Sequence, residues 1–114
     1  MTVFEQVHAM LRAIMLASAA DQSVTRDEPG DLIVRTNAMD EKGQSGWFGT
    51  VTIRKSYVAY HLMPLYDAPD LAADLSPGLR KRRQGKTCFN FTRPDDALFA
   101  ELAALTAGAR GTLP

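Results

Sequence analysis

Phe4, Val7, Met10, Leu11, Ile14 and Met15 recur at steps of three and four, the period of a helix that buries one face. The spacing predicts a helix over residues 2–20. Thr2, three residues before Glu5, fits a capping box, and Glu5 suits the positive end of the helix dipole. Asp27-Glu28-Pro29-Gly30 breaks the chain. The β-branched run over 32–36 reads as a strand. Residues 40–45 are polar, contain Gly43 and read as a turn. A second strand is expected over 47–54 and a third over 57–63. Only Lys55 and Ser56 separate those two, so they should form an antiparallel hairpin. Neither residue favours positive φ; a four-residue loop is the alternative, and it keeps the same facing. Pro64 ends the third strand. A short helix follows over 69–75 with Pro69 at its opening. Ser76 then caps another, with Pro77 at its first position and Gly85 as its stop. Residues 87–92 alternate and read as a fourth strand. Pro94-Asp95-Asp96 opens a last helix that runs to about Ala107, with Leu98, Leu102 and Leu105 as its stripe, Phe99 beside it, Gly108 as its cap and a loose tail to Pro114.

This order predicts an α+β fold: an antiparallel β-sheet of about four or more strands with the N- and C-terminal helices packed on one face. No repeat or linker divides the chain, so residues 1–114 are read as a single domain. With the hairpin turn at Lys55-Ser56, Arg54 faces Tyr57, Thr52 faces Ala59, Thr50 faces His61 and Phe48 faces Met63 on one side. Trp47, Val51, Ile53, Val58, Tyr60 and Leu62 share the other, apolar side, which the helices should cover. Phe89 and Phe91 turn inward with them. Cys88 and Asn90 turn outward.

Composition narrows the class. At 114 residues the chain is long enough to bury a core without disulfides or metal. The one cysteine, Cys88, has no internal partner, which fits a reducing compartment. Lysine plus arginine and aspartate plus glutamate both total 13, and that balance counts against a nucleic-acid binder. The run Ala13-Ile14-Met15-Leu16-Ala17-Ser18-Ala19-Ala20 imitates a signal-peptide core, but Glu5 and His8 precede it where a basic stretch belongs. It is also too short to span a bilayer. The expectation is a cytoplasmic protein with no membrane segment.

The stretch Tyr57-Val58-Ala59-Tyr60-His61-Leu62-Met63-Pro64, followed by Leu79-Arg80-Lys81-Arg82, Gln84-Gly85-Lys86 and Cys88-Phe89-Asn90-Phe91, resembles the YdhG-like domain family of small bacterial proteins of unknown function. The likeness runs from Leu32 onward and is most specific between Trp47 and Phe91. It implies the same α+β fold. Some relatives are described as frataxin-like iron chaperones, whose iron binding uses an acidic first helix; here the only carboxylate before Asp21 is Glu5.

Two features carry candidate chemistry. The outward side of the sheet gathers His61, Asn90, Cys88, Thr50 and Tyr57, a polar set suited to a ligand. Cys88 and His61 are a nucleophile and a base by type, although a dyad needs geometry that spacing does not give. Two histidines, one cysteine and no paired spacing indicate no metal site. The second feature is a run of cations, Arg80, Lys81, Arg82, Arg83, Lys86 and Arg93, within a span free of acidic residues. Arg80 and Arg83 share a helix face, and with Lys86 they are expected to form an anion-binding edge beside His61 and Asn90, with Arg82 off that face. The competing expectation is surface charge neutralised by Asp67, Asp70 and Asp74. Gly85-Lys86-Thr87 lacks the upstream glycine spacing of a phosphate loop. The leading reading is a non-enzymatic binding module for a small anionic ligand. The alternative is a protein-interaction or frataxin-like iron-handling module. The sequence names no cofactor and no oligomeric state.

Overall fold

The computed structural model describes residues 2–39 and 41–113. Helix α1 spans Val3–Ala19 and opens on the expected capping box: Thr2 Oγ1 accepts from the Glu5 amide, and Glu5 accepts from the Thr2 amide. The strands are β1 (Ser23–Glu28), β2 (Asp31–Met39), β3 (Ser45–Ile53), β4 (Val58–Leu62), β5 (Arg83–Gln84) and β6 (Cys88–Phe91). Two 3-10 turns, Met63–Tyr66 and Pro69–Ala72, and helix α2 (Pro77–Arg82) lie between β4 and β5; helix α3 is Asp96–Arg110. The six strands form one sheet in the order β1-β2-β3-β4-β6-β5, with every pairing antiparallel. Helices α1 and α3 pack together and against one face of the sheet. The fold is therefore α+β, as expected, with a larger sheet. Of the turn expected over 40–45, Asp40 lies outside the described residues; β3 already begins at Ser45.

The core lies between that face and the helices. Leu11 and Met15 of α1, Leu32, Val34, Val51, Tyr60, Leu62 and Phe89 of the sheet, and Leu102 of α3 are fully buried. Phe91 meets Phe99 edge-on, with centroids 5.0 Å apart. Three hydrogen bonds tie polar groups into this layer. His8 donates from Nε2 to the Val51 carbonyl, 3.0 Å away. Tyr60 donates to Thr106 Oγ1 at 2.7 Å, and the Thr106 hydroxyl in turn donates to the Leu102 carbonyl at 2.8 Å. Burial raises the Tyr60 phenol above its usual range, and the bond to Thr106 opposes that in part.

Several expectations change. Strand β1 is an addition: only Val24 in it is strongly apolar, and Val24 is exposed. Its ladder to β2 holds it, Pro29-Gly30 makes the turn with Gly30 at φ 77°, and Asp27 takes two hydrogen bonds from Arg12 of α1. Helix α2 stops at Arg82 rather than at Gly85, because Arg83 and Gln84 pair with β6. The segment over 69–75 is a 3-10 turn. Gly108 lies inside α3, which continues to Arg110; the tail as far as Leu113 is tied down by backbone bonds from Thr112 and Leu113 to Ala109 and Arg110, and Pro114 lies outside the described residues.

The main correction concerns Trp47 and Phe48. Trp47 was expected in the core and Phe48 on the outer side. Trp47 is 42% exposed and Phe48 is 0% exposed. The pairing steps from Val34↔Gly49 to Arg35↔Trp47, so Phe48 is an extra residue in β3. Such a bulge reverses the facing of what precedes it.

Candidate functional site

The face of the sheet opposite the helices is a grid set by register. One row across it is Ile33, Thr50, His61, Cys88 and Gln84; a neighbouring row is Asp31, Thr52, Ala59 and Asn90. Arg35 and Trp47 pair in a third. The hairpin keeps the facings expected for Thr50 and Thr52, and a 2.8 Å bond from the Arg54 amide to the Tyr57 carbonyl joins the two residues flanking Lys55-Ser56, although the regular ladder stops one pair earlier, at Ile53 and Val58. Thus His61, Thr50 and Cys88 come together as neighbours, Asn90 is one row away, and Tyr57 stands at the hairpin end. A groove of about 420 Å³ runs over this face between Trp47 and Met63 at one end and Asp31 and Arg54 at the other.

His61 is half-buried, and loss of hydration lowers its pKa below the ordinary value. It and Cys88 are cross-strand partners, but no hydrogen bond joins their side chains, so the contact that activates a thiol nucleophile is not formed. Among the described residues no three histidine, cysteine, aspartate or glutamate side chains gather as a metal site.

The expected basic edge separates into two parts. Arg83 pairs with Phe89, which puts it on the helix side of the sheet, and Gln84 takes the place beside Cys88 on the open face. The Arg83 guanidinium donates to the Lys86 carbonyl at 3.2 and 2.8 Å. Arg80 donates to the Leu75 carbonyl at 3.1 Å. The Lys86 ammonium lies 5.3 Å from the centre of the Tyr66 ring. These three are satisfied locally and do not line the groove that holds His61, nor does Asn90.

Lys81, Arg82 and Arg93 behave differently. They surround a concavity of about 260 Å³ between α2, the end of β6 and the start of α3, floored by Phe91 and Leu98. Helix α2 is held there at its start. Ser76 Oγ accepts from the Leu79 amide at 3.2 Å and donates to Glu101 of α3, while the Ser76 amide donates to the same carboxylate at 2.8 Å. Gly78 lets α2 approach α3: a Cβ there would stand 3.0 Å from Leu98 Cδ2. Asp95 also lines the concavity, with one carboxylate oxygen accepting from the Leu98 amide at 3.0 Å. The ion pairs among the described residues are Arg12–Asp27, Arg26–Asp31 and Arg110–Asp21. None involves a cation of the 80–93 run, and Asp67, Asp70 and Asp74 do not neutralise it by contact.

Sequence reasoning set Arg82 aside and missed Trp47 and Ile33 as groove residues. Gly49, directly after Phe48, is the overlooked signal, since a glycine inside a strand often marks a bulge or a close backbone approach. The convergence of Lys81 with Arg93 depends on how α2 docks and has no local signal. Among the described residues, no helix is long and apolar enough to cross a membrane. Comparison of the chain with protein-family models, with curated proteins and with solved structures finds no match.

Proposed function

We propose that this chain is a non-enzymatic binding module whose ligand is a small anion, held in the concavity of Lys81, Arg82 and Arg93. One observation carries the reading: two cations of α2 and one of the loop after β6 surround one recess, and among the described residues no carboxylate, Asp95 of the recess included, forms an ion pair with any of them. Clustered like charges repel, and an anion entering the recess relieves that repulsion. Arginine supplies a planar fork that can hold two oxygens of a phosphate or carboxylate, and lysine adds a point charge. The resemblance to YdhG-like proteins bears on the fold alone. The iron-handling alternative has less support, because the one acidic residue in the body of α1, Glu5, is engaged in the helix cap.

The test is calorimetric titration with inorganic phosphate, pyrophosphate and succinate at low salt. Wild type should bind at least one of them tighter than millimolar, and added salt should weaken that binding. Lys81→Ala with Arg93→Ala should reduce affinity by about tenfold or more, because each charge-assisted hydrogen bond is worth about 1.5–3 kcal/mol. Arg80→Ala with Arg83→Ala should change it little. Equal binding by the first pair of substitutions, or no binding by wild type, overturns the reading.

A further inference from the structure

The open face of the sheet holds a second feature that the anion reading does not use. We propose that its groove is a separate binding site for a small, uncharged, planar heteroaromatic ring, with Trp47 as the aromatic wall and His61 and Thr50 as its hydrogen-bonding floor.

The first observation is the bulge at Phe48. It places Phe48 and Gly49 in succession on the core side, and it turns Trp47, the chain's one tryptophan, onto the open face. Leaving that ring exposed forgoes a large gain from burial. Bulges recur beside binding sites because they re-aim a side chain in this way. The Trp47 ring is also fixed in place: the Arg35 guanidinium lies 4.4 Å from its centre, and Arg35 donates from Nε to Ser45 Oγ at 3.0 Å. A ring pinned from one side by a cation presents a preorganised stacking surface, which lowers the entropy lost on binding.

The second observation is the chemistry of the floor. Beside Trp47 lie Met63, Ile33, Thr50 and His61. None of these carries a fixed charge, and burial favours the neutral form of His61. Among the described residues, neither the His61 imidazole nor the Thr50 hydroxyl has a hydrogen-bond partner, so both are available to the polar edge of a ring. Met63 supplies an adaptable thioether that packs well against aromatic groups. The charged residues of the groove, Asp31 and Arg54, stand at its far end, beyond the row holding Thr50 and His61. Asp31 is already engaged there by Arg26 at 3.0 Å and by the Thr52 hydroxyl at 3.3 Å. An aromatic wall over a floor of side chains without fixed charge, with the Arg35 guanidinium already held by Trp47 and Ser45, matches a neutral heteroaromatic ring rather than an ion.

The single indole N–H of Trp47 gives a direct readout by nitrogen–proton correlation spectroscopy. The full chain is titrated with nicotinamide and with adenine, and with cyclohexanol as a saturated control. The expected result is a saturable shift of the Trp47 indole signal with at least one ring and none with cyclohexanol. His61→Ala, and separately the near-isosteric Thr50→Val, should weaken that response by several-fold. Lys81→Ala with Arg93→Ala should leave it unchanged, which separates this site from the anion site. The proposal is overturned if neither ring gives a saturable shift, if cyclohexanol gives the same one, or if both floor variants respond like wild type. It is also overturned if the indole signal moves with protein concentration alone, since a second copy of the chain is then the occupant.

Discussion

Gly49 shows how tightly the helix layer meets the sheet. A Cβ at that position would stand 2.5 Å from the His61 carbonyl oxygen and 2.5 Å from Met15 Cε. Met15 is flexible, but the β4 backbone is not. Gly49→Ala should therefore destabilise the fold by about 1–3 kcal/mol, the range of an overpacked core, measured by urea unfolding. A neutral result contradicts the close approach of α1 to β3 and β4. His61 gives a second prediction at this scale. Burial lowers its folded pKa below the ordinary value of 6.5, so between the folded and the ordinary value the unfolded chain holds more protons than the folded one, and below the folded value both states are protonated and the loss levels off. Stability should thus be unaffected by this group well above pH 6.5 and should fall as the pH drops below it. His61→Gln should remove that share of the acid-side decline. Parallel curves for the two proteins from pH 8 to pH 5 would show that the imidazole is not desolvated. Tyr60→Phe is expected to cost about 1 kcal/mol, the net worth of one buried hydrogen bond, because Thr106 still donates to the Leu102 carbonyl.

Ser76 is the strongest test at the scale of elements. It caps α2 and holds Glu101 of α3 through two bonds. Ser76→Ala should cost about 0.5–2 kcal/mol in stability and should also loosen the position of Lys81 and Arg82. Loss of stability with unchanged anion binding would show that the cap does not position the recess. Local rules were legible here: Thr2 with Glu5, Ser76 with Pro77, and Asp95 before α3 all read as helix starts from residue type and spacing alone. The β3–β4 pairing was legible as well, because Thr50, Thr52 and Arg54 keep their facing whichever loop closes the hairpin. Features set by tertiary contact were not. Strand β1 has too little apolar character to declare itself and forms because β2 offers it a ladder. The same holds for β5, whose Arg83 and Gln84 leave the helix to pair with β6. Truncating Phe91, which packs edge-on to Phe99, should cost about 3–5 kcal/mol, and a cost near zero would mean that β6 faces the other way.

For the molecule as a whole, one layer of helices on one face of a six-stranded sheet leaves the other face open. The polar set His61, Thr50, Cys88 and Asn90 was legible because alternation along β3, β4 and β6 places it there. Trp47 was not, because a single bulged residue reverses facing without altering the apolar pattern that suggests it. The basic run was legible as a cluster but not as a site. Which cations converge is decided by the docking of α2 on α3 and β6, and local hydrogen bonds engage Arg80 and Arg83 elsewhere. On our proposal, the cations of the recess between α2 and α3, which form no ion pair among the described residues, make it an anion site. The most direct measurement is a map of backbone amide shifts in the full chain on addition of inorganic phosphate at low salt. Saturable shifts centred on Lys81, Arg82 and residues 91–95 are expected, with His61 and Thr50 unmoved. Shifts confined to Arg80, Arg83 and Lys86, or none that saturate, would contradict it.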